Sequence, residues 1–246
     1  MFKRFVSNQI ILLVLALLLG ACASASSAPS AQPRVEDGLQ AARAGDWPAA
    51  IDHFTQAVQI DPARADALTG RGWAYVNTDQ LDAAIADFDA ALEIDPADAQ
   101  ALAGRGRAYL NQNNLDAALL DLNQALTLSP LRAGAYFDRG LVYYRQQKYP
   151  EALTDFERGL RSDARSLRGY YNRGLAYLKL KQYDAAVADF SQALVISPTY
   201  AAAFTQRANA YNAQGRYTQA QADFDQAVAL NPADPIGWVA HAYTLY

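Results

Sequence analysis

Two apolar patterns run along this chain. The first is one unbroken stretch, residues 10–19 (IILLVLALLL), with Lys3 and Arg4 before it and Gly20, Ala21 and Cys22 after it. The second fills the chain beyond residue 34 and has helical spacing. Residues 183–196 (YDAAVADFSQALVI) place apolar side chains three and four apart, as one face of an α-helix requires. Residues 170–179 (YYNRGLAYLK) form a second block of this kind, and a short polar break separates the two. The pattern predicts a pair of antiparallel helices.

That pair repeats. Proline stands at Pro62, Pro96, Pro130, Pro198 and Pro232, always a multiple of 34 apart, with Ala164 in the one empty slot. Small residues keep the same step at Gly38, Gly72, Gly106, Gly140, Gly174 and Ala208. So does an aromatic or leucine at Phe54, Phe88, Leu122, Phe156, Phe190 and Phe224, and a tyrosine at Tyr75, Tyr109, Tyr143, Tyr177 and Tyr211. The proline past each second helix blocks its continuation, because it lacks an N–H and its ring clashes with the preceding turn. The small residues let antiparallel helices approach closely, and the aromatic rings fill the space around that contact. One hairpin cannot cover its own apolar face, so neighbours must stack around a continuous interior.

The period and residue set resemble the tetratricopeptide repeat over residues 34–246. The units read as 31–64, 65–98, 99–132, 133–166, 167–200 and 201–234, with a terminal helix at 235–246. The resemblance implies an all-α fold, a right-handed α-α superhelix of six helix hairpins and a half repeat. It also implies a concave groove, lined by the first helix of each unit, that binds a segment of another protein. The expected groove residues are those that do not repeat on these helices: Trp73, Arg107, Phe137, Tyr144, Arg168, Tyr171 and Lys179, flanked by Thr69, Ala103, Leu110 and Thr205. An apolar, aromatic middle with Arg107, Arg145, Arg168 and Lys179 nearby suits an extended or helical segment with apolar anchors and an acid group. The competing reading is that some of these aromatics only pack between units. The Lys and Asn set with which chaperone-binding relatives clamp a carboxylate tail is not supplied by any three consecutive units.

Five units carry a charge ladder. Arginine precedes the small residue at Arg71, Arg105, Arg139, Arg173 and Arg207; aspartate precedes the aromatic or leucine at Asp87, Asp121, Asp155, Asp189 and Asp223. Antiparallel geometry brings these together within a unit or across to the next, as structural ion pairs along the helix seams; direct ligand contact is the alternative. Both histidines fall on the ladder. His53 takes the aspartate position of the first unit, opposite Asp37, and His241 takes the arginine position of the last half unit.

Composition narrows the chemistry. The formal net charge of −4 offers no general attraction to phosphate backbones, so nucleic acid is not expected as a partner. One cysteine allows no internal disulfide, and two distant histidines give no metal site. There is no P-loop, dinucleotide fingerprint, G-x-S-x-G or H-E-x-x-H, so neither catalysis nor a cofactor is expected.

The first apolar stretch is too short for a bilayer span and reads as a secretory signal over residues 1–21. Leu19, Gly20, Ala21 and Cys22 resemble the lipobox of bacterial lipoproteins, in which the cysteine receives a diacylglyceryl group. Ordinary cleavage at the A-x-A match of Ala21, Cys22 and Ala23 is the alternative; the only cysteine lying where lipidation would use it favours the anchor. Residues 22–33 then read as the lipidated cysteine and an Ala/Ser/Pro-rich tether reaching roughly 20 Å. The expectation is a lipid-anchored adaptor on a bacterial membrane, facing outside the cytoplasm. The alternative is a structural subunit docking, or self-associating, through the apolar terminal helix with Ile236, Trp238, Val239 and Tyr243.

Overall fold

A computed structural model describes residues 30–232, and within them there are twelve α-helices and no strand. They pair into six hairpins: α1 (Gln32–Ala44) with α2 (Trp47–Ile60), α3 (Ala65–Asn77) with α4 (Leu81–Ile94), and α5 (Ala99–Asn111) with α6 (Leu115–Leu128). The next three are α7 (Ala133–Arg145) with α8 (Tyr149–Ser162), α9 (Leu167–Lys179) with α10 (Tyr183–Ile196), and α11 (Ala201–Ala213) with α12 (Tyr217–Leu230). The signal, Cys22 and terminal-helix readings lie outside the described residues. No helix among the described residues is long and apolar enough to cross a membrane.

Each hairpin turns on one residue in the left-handed region: Gly45, Asp79, Asn113, Gln147, Lys181 and Gly215, with φ from 59° to 78°. The next residue donates its N–H back to a carbonyl five positions earlier, as Lys148 does to Tyr143 and Gln182 to Tyr177, both at 2.9 Å. This closes the first helix and reverses the chain. Side-chain caps then start several helices: Asp46 accepts from the Ala49 N–H, Asp98 from Gln100 and Ala101, and Ser166 from Gly169.

Packing fixes the rest. Phe54, Phe88, Phe156, Phe190 and Phe224 are fully buried, each on a second helix. Phe54 lies over Gly38 of its own hairpin and Gly70 of the next, where an added Cβ would stand 2.8 and 2.5 Å from its ring. Phe88 lies the same way between Gly72 and Gly104. One ring therefore joins three helices of two units. Successive first helices touch one another, whereas second helices touch only first helices. The first helices consequently form the inner layer of an all-α superhelical repeat, and the second helices form the outer layer.

One boundary differs from the sequence reading. α1 begins at Gln32, two residues inside the segment expected to be tether, with Ala31 and Val35 buried beneath it. Pro33 sits in the first turn, where its fixed φ suits a helix and its missing N–H goes unused. A proline that looks like linker composition is here a helix start.

A Cβ in the left-handed region costs about 1 kcal/mol relative to glycine. Gln147→Gly should therefore raise the melting temperature by about 2–4 °C, and Lys181→Gly should do the same. Thermal unfolding followed by circular dichroism checks this; no rise in either variant would show that the turn is not strained.

Candidate partner-binding groove

The charge ladder sets the boundary between the two layers. Each ladder arginine holds the aspartate of its own hairpin through two guanidinium nitrogens: Arg139 Nε and Nη2 reach Asp155 at 2.7 and 2.8 Å, and Arg71, Arg105, Arg173 and Arg207 hold Asp87, Asp121, Asp189 and Asp223 likewise. The remaining nitrogen commonly reaches back to the preceding unit, from Arg71 to Thr55, Arg105 to Asp89, Arg139 to Asn123 and Arg207 to Ser191. The charge-assisted bonds to aspartate hold all five guanidiniums above their ordinary value. Repeating tyrosines cover them: Arg71, Arg139, Arg173 and Arg207 lie 5.9–6.0 Å from the rings of Tyr75, Tyr143, Tyr177 and Tyr211.

The first hairpin has no such pair. Asp37 turns instead to Arg34 at 3.2 Å, and His53 Nδ1 is buried without a hydrogen-bond partner, so the sequence reading of His53 as a bonded ladder member finds no partner at that atom. His241 lies outside the described residues.

The inner layer carries a second, non-repeating network. Arg107 of α5 and Arg168 of α9 both donate to Oδ1 of Asp138 on α7, which is only 1% exposed. Arg107 also lies 5.9 Å from the ring of Trp73 on α3, and Trp73 meets Phe88 edge-on at 6.0 Å. Four consecutive first helices are thus connected. Burial, reinforced by the Arg107 charge and opposed by Asp138, lowers the affinity of Arg168 for its proton. Arg145 donates to the Leu110 carbonyl on the first helix of the preceding unit, and Lys179 ends α9 exposed. Beside them, Tyr171 packs 5.1 Å from Tyr200 and 5.8 Å from Phe190, and Tyr144 packs 5.5 Å from Tyr149. Burial pushes the Tyr171 phenol up to about 12, helped by the neighbouring phenols of Tyr200 and Tyr144, and raises Tyr144 as well.

This geometry corrects part of the expected groove. Phe137 is 3% exposed and belongs to the interior; its ring fills the space over Gly159 and Gly169. Gly159 stands where neighbouring units have alanine, which makes that room. Thr69, Ala103, Leu110 and Thr205 are buried too. Trp73, Tyr144 and Tyr171 are half-buried and Lys179 is exposed, so these four remain at the inner surface. Arg107 and Arg168 are there as well, but paired with Asp138. That aspartate was missed by sequence reasoning; the available signal was an acid standing in a register position occupied by Gly70 and Gly104 in earlier units.

Comparison with known proteins agrees with this architecture. Tetratricopeptide repeat family models match residues 37–99, 69–134, 103–166, 137–201 and 201–234. No curated protein matches the sequence. Among solved structures, the chain is similar to one from the APC/C hetero-tetramer Cut9–Hcn1, with a TM-score of 0.82, 20% identity and coverage of 88% of this chain. It spans 43% of that chain, less than half of its length. It is also similar to Pseudomonas aeruginosa pilF (TM-score 0.75, 20% identity, 87% of this chain and 97% of that one). A third is YrrB, a TPR protein with an unusual peptide-binding site (TM-score 0.62, 21% identity, 77% and 97%). At these identities the likeness is one of fold.

Asp155 is 2% exposed, and removing one member of a buried pair strands the other charge at a cost of about 3–5 kcal/mol. Asp155→Ala should therefore destabilise by about 3 kcal/mol in denaturant unfolding. The exposed change Glu151→Ala on the same helix should stay within about 0.5 kcal/mol. Equal effects from the two would remove the ladder from the list of structural supports.

Proposed function

This chain belongs to the tetratricopeptide repeat family, and from that premise we propose that it is a non-catalytic adaptor that binds a segment of a partner protein along its inner layer. Tetratricopeptide domains bind other proteins or peptides, and the fold is typically a scaffold rather than an enzyme. The observation that carries the proposal is the division of labour on the first helices. Their repeating residues are consumed by the seam and the ladder, while Trp73, Tyr144, Tyr171 and Lys179 vary between units and keep exposed surface. Side chains that packing does not require, on a concave face, are the material from which a groove recognises an extended or helical segment. The peptide-binding site of the similar YrrB supports the same reading.

The adaptor works at a membrane. Cys22 receives a diacylglyceryl group after the signal of residues 1–21 directs export, and two or more acyl chains hold the body stably at the bilayer. What supports this is the basic, apolar and small-residue order of those residues and the position of the only cysteine. The alternative role, as an assembly subunit docking through residues 235–246, rests on residues outside those described, and the inner-layer side chains favour the adaptor.

Two experiments test these readings. A photo-crosslinking amino acid placed in cells at Tyr144 or Lys179 should yield adducts with a partner protein. The same probe at Leu120 or Val195, which are 70% and 73% exposed on the outer layer, should yield few. Adducts from the outer layer alone would overturn the groove assignment. For the anchor, cells fed a clickable fatty acid should label the wild-type chain and not Cys22→Ala. Labelling that survives the substitution would refute lipidation at this residue.

A further inference from the structure

The two layers carry opposite charge. In the last four hairpins, the first helices α5, α7, α9 and α11 hold eight Arg and Lys side chains and one acid, Asp138. The second helices α6, α8, α10 and α12 hold nine acids and two arginines, Arg158 and Arg161. The ladder accounts for four cations of the inner layer and four acids of the outer one. Arg107, Arg145, Arg168 and Lys179 remain on the inside, facing the single carboxylate of Asp138. A chain whose formal charge is −4 therefore concentrates a surplus of three positive charges on the concave side of α5, α7 and α9.

The surplus is local. Farther toward the N-terminus the charges balance: α1 carries Arg34 and Arg43 against Glu36 and Asp37, and α3 carries Asp66, which Arg64 pairs, beside the ladder's Arg71. α11 contributes only Arg207, which Asp223 holds. The positive field thus spans three hairpins. Asp138 cannot itself be neutralised by two guanidiniums and still leave them balanced: one carboxylate sits against two cations whose side chains are 25% and 32% exposed. Buried beneath them, it keeps both in place while part of each faces outward. The half-buried rings of Tyr144 and Tyr171 lie on α7 and α9 of the same surface. Opposite charge steers a partner onto such a surface and fixes its register.

Resting on the groove reading above, we infer that the occupant is an acidic segment of a partner protein, with carboxylates placed over α5, α7 and α9 and apolar side chains between them. Arg107, Arg168, Arg145 and Lys179 receive the carboxylates, and Tyr144 and Tyr171 receive the apolar anchors. Asp138 is a positioning residue and touches no ligand, being buried.

The test uses the purified chain and three fluorescent synthetic peptides of equal length: alternating Leu and Glu, the same with Gln for Glu, and the same with Lys for Glu. Anisotropy should show the Glu peptide binding at least about tenfold more tightly than the Gln peptide, with the advantage shrinking as salt rises. Arg145→Gln/Lys179→Gln, which changes two exposed side chains, should remove most of that advantage while leaving the circular dichroism spectrum unchanged. Asp138→Asn should bind the Glu peptide more tightly than wild type although it lowers the melting temperature, a gain that misfolding does not produce. Equal affinity for the Glu and Gln peptides would overturn the inference; if crosslinks still arise at Tyr144, the groove itself would stand. Binding of a single-stranded oligonucleotide without binding of the Glu peptide would also overturn it, in favour of a nucleic-acid partner.

Discussion

Everything in this solenoid depends on one close approach: a phenylalanine or leucine of a second helix pressed against a small residue of its own first helix, and in the first two seams against a glycine of the next first helix as well. Phe54 between Gly38 and Gly70, and Phe88 between Gly72 and Gly104, bring helix backbones nearer than a Cβ would permit. The contact joins a hairpin to its successor, so no unit has a finished interior of its own. Stability in such arrays comes from nearest-neighbour interfaces added in series. It also sets the layering, because the ring comes from the outer helix and both glycines come from inner ones.

Once the seam is set, the ladder follows with little freedom. Arg71, Arg105, Arg139, Arg173 and Arg207 sit one residue before the small seam position, and their partners one residue before the ring or leucine, so the same register brings each pair together. The separation of 16 residues is constant within every pair. Chemistry at this boundary is strongly constrained: in four of the five pairs the guanidinium is shared between two units, and in four it lies beside a repeating tyrosine ring. A lysine could not serve both directions, since its ammonium lacks the planar fork that holds a carboxylate with one edge and reaches away with the other.

What repeats was legible from sequence; what does not repeat was legible only in part. Period, hairpins and the identity of ladder residues all follow from a step of 34. The inner surface does not, because varying between units and facing outward are different properties. Phe137 varies, yet it is interior, since Gly159 and Gly169 open a hole of its size. Asp138 escaped notice for a related reason. Its partners lie 31 and 30 residues away, so no comparison of equivalent positions would pair them. The start of α1 was misplaced by two residues because Pro33 carries the composition of a linker and the geometry of a first helical turn.

The constant orientation of the ladder bears on why Asp138 is tolerated at all. A carboxylate that is 1% exposed would ordinarily be expensive, as burial removes the water that stabilises its charge. Here five guanidiniums already line the inner side of the boundary while their carboxylates lie on the outer helices, so a further buried acid on an inner helix meets a favourable field. Two further arginines, from the first helices of the units before and after, then bond it directly. The same field that accommodates an internal acid would accommodate an external one. Asp138 is in this sense a resident occupant of a positive surface too large for it, which is why the surplus left beside it, rather than the pair itself, defines what the groove can hold.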